Sequence, residues 1–174
     1  MTGSLDNAGL LWASTTSGVA AVRLAGGGSL SNSGTVIAEA HSGEAVAITA
    51  EDTATSGIIV NAGNLFALST TGNASGIRIA QAAYTIENDG TIAVQAFQDP
   101  DSRDDPWAAL TSGRASGIVV SAGSVPVING ASGQILVEGD HAFAIWLRGS
   151  TSGASYDYDL DNRGLIRAAS TLLG

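Results

Sequence analysis

Glu39 with His41, and Glu138 with Asp140 and His141, are the two places where this chain gathers side chains suited to general acid–base chemistry. Paired carboxylates of this kind hydrolyse glycosidic bonds, but they do so at separations of roughly 5 to 9.5 Å. Each Glu stands five residues after a recurring Gly, which places both on one outward column of a repeat, three repeats apart. At one strand spacing of about 4.8 Å per repeat they lie about 14 Å from each other, too far to share one bond. No catalytic residue is therefore assigned, and a polysaccharide-active enzyme is the alternative reading. Two acidic stretches have the alternating oxygens that hard cations require. One is Asp99, Asp101, Asp104 and Asp105, a calcium site in expectation and otherwise a self-solvating acidic loop. The other is Asp157-Tyr158-Asp159-Leu160-Asp161-Asn162, which has Asn162 where a calcium loop needs Gly and Ala168 where it needs Glu. Strand alternation accounts for it without a metal, and no other cofactor is expected. Trp146 beside Arg148 pairs an aromatic plane with a cation, a combination that stacks on sugar rings or packs against a neighbouring turn. In this reading Phe143, Ile145 and Leu147 point inward.

These residues hang on a phrase that recurs six times: an aliphatic residue, Asn two places on, Gly two places later, then a short apolar strand. It reads Leu5-Asp6-Asn7-Ala8-Gly9, Leu30-Ser31-Asn32-Ser33-Gly34, Ile59-Val60-Asn61-Ala62-Gly63, Ile86-Glu87-Asn88-Asp89-Gly90 and Leu160-Asp161-Asn162-Arg163-Gly164. A further copy, Val127 to Gly133, carries two extra residues between Asn129 and Gly133. Two residues after each Gly stand Leu11, Val36, Leu65, Ile92, Ile135 and Ile166, and four after it stand Ala13, Ala38, Ala67, Val94, Val137 and Ala168. A period of two identifies strands, and these columns face inward. The Gly-to-Gly intervals of 25, 29, 27, 43 and 31 residues each fit one coil of two or three strands. The expected fold is all-β: a single-stranded parallel β-solenoid of about six coils, one unit over residues 1–174, with an inserted loop at about 97–115. Asn7, Asn32, Asn61, Asn88, Asn129 and Asn162 are expected to form a structural ladder of side-chain amides. Ser17-Gly18-Val19, Ser56-Gly57-Ile58, Ser75-Gly76-Ile77 and Ser116-Gly117-Ile118 are read as one second side of the coil, and Gly43 to Ile48 as the second strand of its own coil.

The position three after Gly holds Trp12, Ile37, Phe66, Ala93, Leu136 and Arg167. By alternation it faces outward, yet Trp12, Ile37, Phe66 and Leu136 are large and apolar. A binding strip is expected there, covered by Trp107 and Leu110 of the inserted loop or by another molecule.

Composition narrows the function classes. The 174 residues carry a net charge of −9 with seven Arg and no Lys, and no clustering of the Arg is visible along the sequence, which argues against nucleic acid and against an anionic membrane surface. Cysteine is absent, which removes disulfides and thiolate chemistry. No stretch reaches the roughly 18 apolar residues of a spanning helix, so this segment is not expected to insert in a membrane. The N-terminus lacks the charged and apolar regions of a signal peptide. With the first repeat starting at Leu5 without a cap, a longer parent protein is expected.

Asn32-Ser33-Gly34-Thr35-Val36, Asn88-Asp89-Gly90-Thr91-Ile92 and Ser75-Gly76-Ile77 resemble the repetitive passenger regions of proteobacterial autotransporters and related large surface adhesins. The resemblance covers the chain apart from residues 97 to 115, and the lack of Cys is similar too. It implies an exported segment, extracellular or at the bacterial cell surface, with a structural or adhesive role. The partners it implies are adjoining repeats or other copies, joined laterally or end to end into filaments, and extracellular glycan or a host matrix surface.

Overall fold

The computed structural model describes residues 3–51, 56–80, 83–97, 113–121, 124–148 and 158–171. They form a parallel β-solenoid without helix, in which each coil gives one strand to each of three sheets. Sheet A stacks β1 (Ser4–Asn7), β4 (Ser29–Asn32), β7 (Ser56–Asn61), β10 (Ala83–Asn88), β13 (Val127–Asn129) and β16 (Leu160–Asn162). Sheet B stacks β2 (Leu10–Thr15), β5 (Thr35–Ala40), β8 (Asn64–Ser69), β11 (Thr91–Ala96), β14 (Gln134–Gly139) and β17 (Leu165–Ser170). Sheet C stacks β3 (Val19–Leu24), β6 (Ala45–Ala50), β9 (Ala74–Ile79), β12 (Arg114–Val120) and β15 (His141–Leu147). Three strands per coil make five complete coils, with two strands of a sixth, where the spacing of the phrase predicted six. As expected, Gly43 to Ile48 leads into the sheet C strand of its coil.

The recurring phrase is the corner between sheets A and B. Every pairing is in register, so Asn7, Asn32, Asn61, Asn88, Asn129 and Asn162 stand directly above one another at the ends of the sheet A strands. Asn7 Nδ2 donates to Asn32 Oδ1 at 2.8 Å, Asn32 to Asn61 at 2.7 Å, Asn61 to Asn88 at 2.7 Å, Asn88 to Asn129 at 2.8 Å and Asn129 to Asn162 at 2.8 Å. From Asn7, Asn32, Asn61 and Asn88 the amide also donates to a carbonyl of the next coil, as from Asn61 to Thr91 at 3.3 Å, and from Asn129 to Gly133 of its own coil. All but Asn162 are buried, so polar groups at the edge of the core are satisfied by their own repetition. The glycines here answer to space. A Cβ on Gly34, Gly63 or Gly90 would lie 2.0 to 2.1 Å from the carbonyl oxygen of the corner Gly in the preceding coil. A Cβ on Gly9, in the first coil, would meet nothing within 4 Å.

The core is a set of aliphatic columns. Leu30, Ile59, Ile86 and Val127 fill it from sheet A, and Val36, Leu65, Ile92 and Ile135 from sheet B, with Ala38, Ala67, Val94 and Val137 beside them. In sheet C the strand is bent. Two successive residues face inward in each coil: Ala21-Val22, Ala47-Ile48, Gly76-Ile77, Gly117-Ile118 and Ala144-Ile145, and the ladder skips the first of each pair. The first member is always Ala or Gly because it abuts sheet B; a Cβ on Gly117 would lie 2.5 Å from Ile135 Cγ2.

This bend corrects two expectations. Alternation through it would put Phe143 inward, whereas Phe143 pairs with outward Ser116 and is exposed. The four Ser-Gly phrases are also not one side of the coil. Ser75-Gly76-Ile77 and Ser116-Gly117-Ile118 share the sheet C bend, but Ser56-Gly57-Ile58 opens β7 in sheet A and Ser17-Gly18 lies in the turn before β3. Gly57 is small because Tyr84, its neighbour in β10, reaches past it to donate to the Gly28 carbonyl at 2.9 Å.

Candidate functional site

The lateral faces of sheets B and C carry the side chains that a partner would meet. On sheet B the outward columns run in register through all six strands. Trp12, Ile37, Phe66, Ala93, Leu136 and Arg167 form the central one. Trp12 is 64% exposed and Phe66 38%, while Ile37 and Leu136 are half-buried by their neighbours. Ala93 is the gap in this column. Between Phe66 and Leu136 it floors a groove of about 570 Å³ that extends along the face to Glu39, Glu138 and Arg167. Trp12 Nε1 donates to Glu39 Oε2 at 3.1 Å, and Gln95 Nε2 to Glu138 Oε2 at 3.1 Å, so both carboxylates are held on the rim.

Glu39 and Glu138 share the column Glu39, Leu68, Gln95, Glu138, three strands apart. Asp140 does not join Glu138 on this face. It is buried in the corner, where its carboxylate accepts from Thr171 Oγ1 at 2.7 Å and its carbonyl from Ser170 Oγ at 2.5 Å. His41 is exposed in the same B–C corner three coils earlier, and His141 opens β15 in sheet C. The acidic and imidazole groups therefore lie on different elements.

On sheet C the outward face holds Arg23, Arg78, Arg114 and Arg148, four of the seven arginines. This corrects the expectation that the arginines do not cluster: they are far apart in sequence but are brought together by the stacking of coils. Toward the first coils the charge is balanced. Arg78 binds Glu44 and, at 2.8 Å, Glu51, and Arg23 binds Glu51 at 2.7 Å. The hydrogen bond from Arg78, with both guanidinium charges, holds the Glu51 carboxyl below the usual range against a smaller opposing effect of burial. Toward the last coils the face becomes aromatic. Trp146 stacks on Phe143 at 5.3 Å, with the Arg114 guanidinium 4.6 Å and that of Arg148 5.0 Å from the indole centre. The indole ring is thus already packed, and what it presents is guanidinium rather than a bare plane. Asn73, Ser75, Ser116 and Ser121 line the adjoining groove of about 290 Å³. Arg78 and Arg114 belong to this group and were not singled out from sequence, and Phe143, read there as inward, joins them. The signal that finds them is the small-then-large inward pair of sheet C, which sets the facing of every residue around it.

Asp99, Asp101, Asp104, Asp105, Trp107 and Leu110 lie outside the described residues, as does Asp157. Asp159 is exposed and Asp161 pairs with Arg163. Among the described residues no three His, Asp or Glu side chains gather as metal ligands. No described helix is long and apolar enough to cross a membrane. The chain matches no protein-family model, no curated protein and no solved structure.

Proposed function

We propose that the chain is a structural and adhesive segment of an exported bacterial surface protein, and that its adhesive face is sheet C, which takes acidic polysaccharide. The observation that carries this reading is the concentration of four arginines on one face of a chain of net charge −9, two of them seated on Trp146. Guanidinium groups held on an aromatic ring are pre-oriented donors for a carboxylate, and the Ser and Asn hydroxyl and amide groups beside them suit sugar hydroxyls. The rod itself is the structural part. Its end coils expose Leu5 and Leu160, members of a column that is buried in every coil between them, to further coils of the same kind. Adjoining repeats of the same kind fit there.

Polygalacturonate titrated onto the protein tests the adhesive reading, with neutral dextran and single-stranded DNA as controls. Binding of the uronate polymer, weakened by salt and lowered about a hundredfold by Arg114→Gln with Arg148→Gln, is expected, since charge-assisted pairs contribute on the order of 1.5 kcal/mol each. Equal binding of dextran, or undiminished binding by the double variant, overturns it. Preference for DNA would replace the saccharide with nucleic acid.

A further inference from the structure

We infer that the outer face of sheet B is a self-recognition surface, on which two copies of this chain pack as antiparallel rods about a two-fold axis passing between Phe66 and Ala93. A two-fold axis lying in the interface along the strands reverses the order of coils in the partner and leaves each column opposed to its own copy. The central column is complementary to itself under that operation. Its third and fourth members oppose each other, so each Phe66 enters the groove floored by Ala93 of the other copy. Its second and fifth members bring Ile37 against Leu136. Its first and sixth bring Trp12 against Arg167, an indole against a guanidinium that has no ion pair among the described residues.

The neighbouring column agrees. Its end members, Leu10 and Leu165, are 62% and 51% exposed and oppose each other, while the polar Asn64 and Thr91 meet near the axis. The pair next to the axis, Phe66 with Ala93, stays opposed when the two sheets cross at the roughly 30° usual for aligned sheets. A two-fold axis along the rod would do the reverse, setting Phe66 on Phe66, Arg167 on Arg167, and the Ala93 gaps on one another. One contact opposes the arrangement: Glu39 faces Glu138 of the other copy, twice per interface.

Six strands about 4.8 Å apart, each about 20 Å long, present about 600 Å² per copy, at the roughly 1,200 Å² lower limit of specific interfaces for the pair. The dimer is therefore weak, with a dissociation constant in the micromolar range or above.

Sedimentation equilibrium from micromolar to about millimolar protein is the first measurement, and a monomer–dimer equilibrium without larger species is expected. Phe66→Glu abolishes the dimer without lowering the unfolding midpoint, because the side chain points outward, and Glu138→Gln tightens it severalfold. Since the chain has no Cys, single cysteines report register. Mixed Ile37→Cys and Leu136→Cys chains cross-link to each other under mild oxidation, and Ile37→Cys alone does not. A monomer throughout, a dimer indifferent to Phe66→Glu, open-ended polymers, or efficient cross-linking of Ile37→Cys to itself would each overturn the proposal.

Discussion

The corner between sheets A and B and the strands of sheet C solve the same stacking problem in different ways. At the A–B corner each coil places an amide and a glycine where the next coil must repeat them: the amide needs a donor and acceptor at the same height, and the glycine carbonyl occupies the space of any Cβ above it. Substitution there is felt by both neighbouring coils. In sheet C the demand is only that the first inward residue at the bend be small, and Ala serves at 21, 47 and 144 where Gly serves at 76 and 117. The outward residues of sheet C are free to vary, and there the arginines and aromatic rings collect. Where coils constrain one another atom by atom the sequence repeats; where they constrain only volume it diversifies, and binding chemistry has room.

Substitutions can break this contrast. Gly63→Ala forces a Cβ to 2.1 Å from the Gly34 oxygen, backbone against backbone. We expect it to lower unfolding free energy by about 3 kcal/mol or to prevent folding, against about 0.5 kcal/mol or less for Gly9→Ala, both read from denaturant midpoints. Equal effects would remove the distinction between interior and first coil. Asn61→Ala leaves the Asn32 donor and the Asn88 acceptor without their partner, at about 2 kcal/mol, while Asn162→Ala, at the exposed end of the column, costs about 0.5 kcal/mol. Gly76→Ala sharpens the comparison from the other side. It crowds Ile92 Cγ2 at 2.4 Å, yet three other coils accept Ala in that column, so about 1 kcal/mol is expected. The smallest effect concerns Glu51. Its carboxyl titrates lower in the folded protein than in the unfolded chain, so its ion pairs with Arg78 and Arg23 contribute fully above the ordinary Glu range. That contribution fades as pH falls through the lowered value, so Glu51→Gln should lower the neutral plateau of a stability-against-pH curve and flatten its acid limb, with little effect at the acid end.

The A–B corner was legible because six aligned copies of Asn-x-Gly fix both strand ends and, with the period of two after Gly, the facing of all of sheet B. The column Trp12, Ile37, Phe66, Ala93, Leu136, Arg167 could be read without coordinates for the same reason. Sheet C was not legible in this way. Its bend breaks the period of two, so alternation fails at Phe143, and its small residues are Ala in three coils and Gly in two, which hides the column. Arg23, Arg78 and Arg148 stand 55 and 70 residues apart in sequence, and only the pairing of β3 through β15 brings them to one face. Gly57 was misread as part of a phrase because its cause, Tyr84, lies a full coil away.

The amide column has a direction. Each Asn from Asn7 to Asn129 donates toward the later coil, so the five side-chain bonds are aligned head to tail. Reversing one amide in the middle would set nitrogen against nitrogen on one side and oxygen against oxygen on the other, so the column has two self-consistent states rather than many, and the backbone carbonyls that accept the second hydrogens select one of them. Aligned dipoles polarise one another, which strengthens each bond and gives the rod an electrical polarity along its axis. The column therefore ends in an amide oxygen at Asn7 and amide hydrogens at Asn162, so that any further coil adopting the same ladder must be added in the same sense, and the growth axis of such an array is chemically one-way.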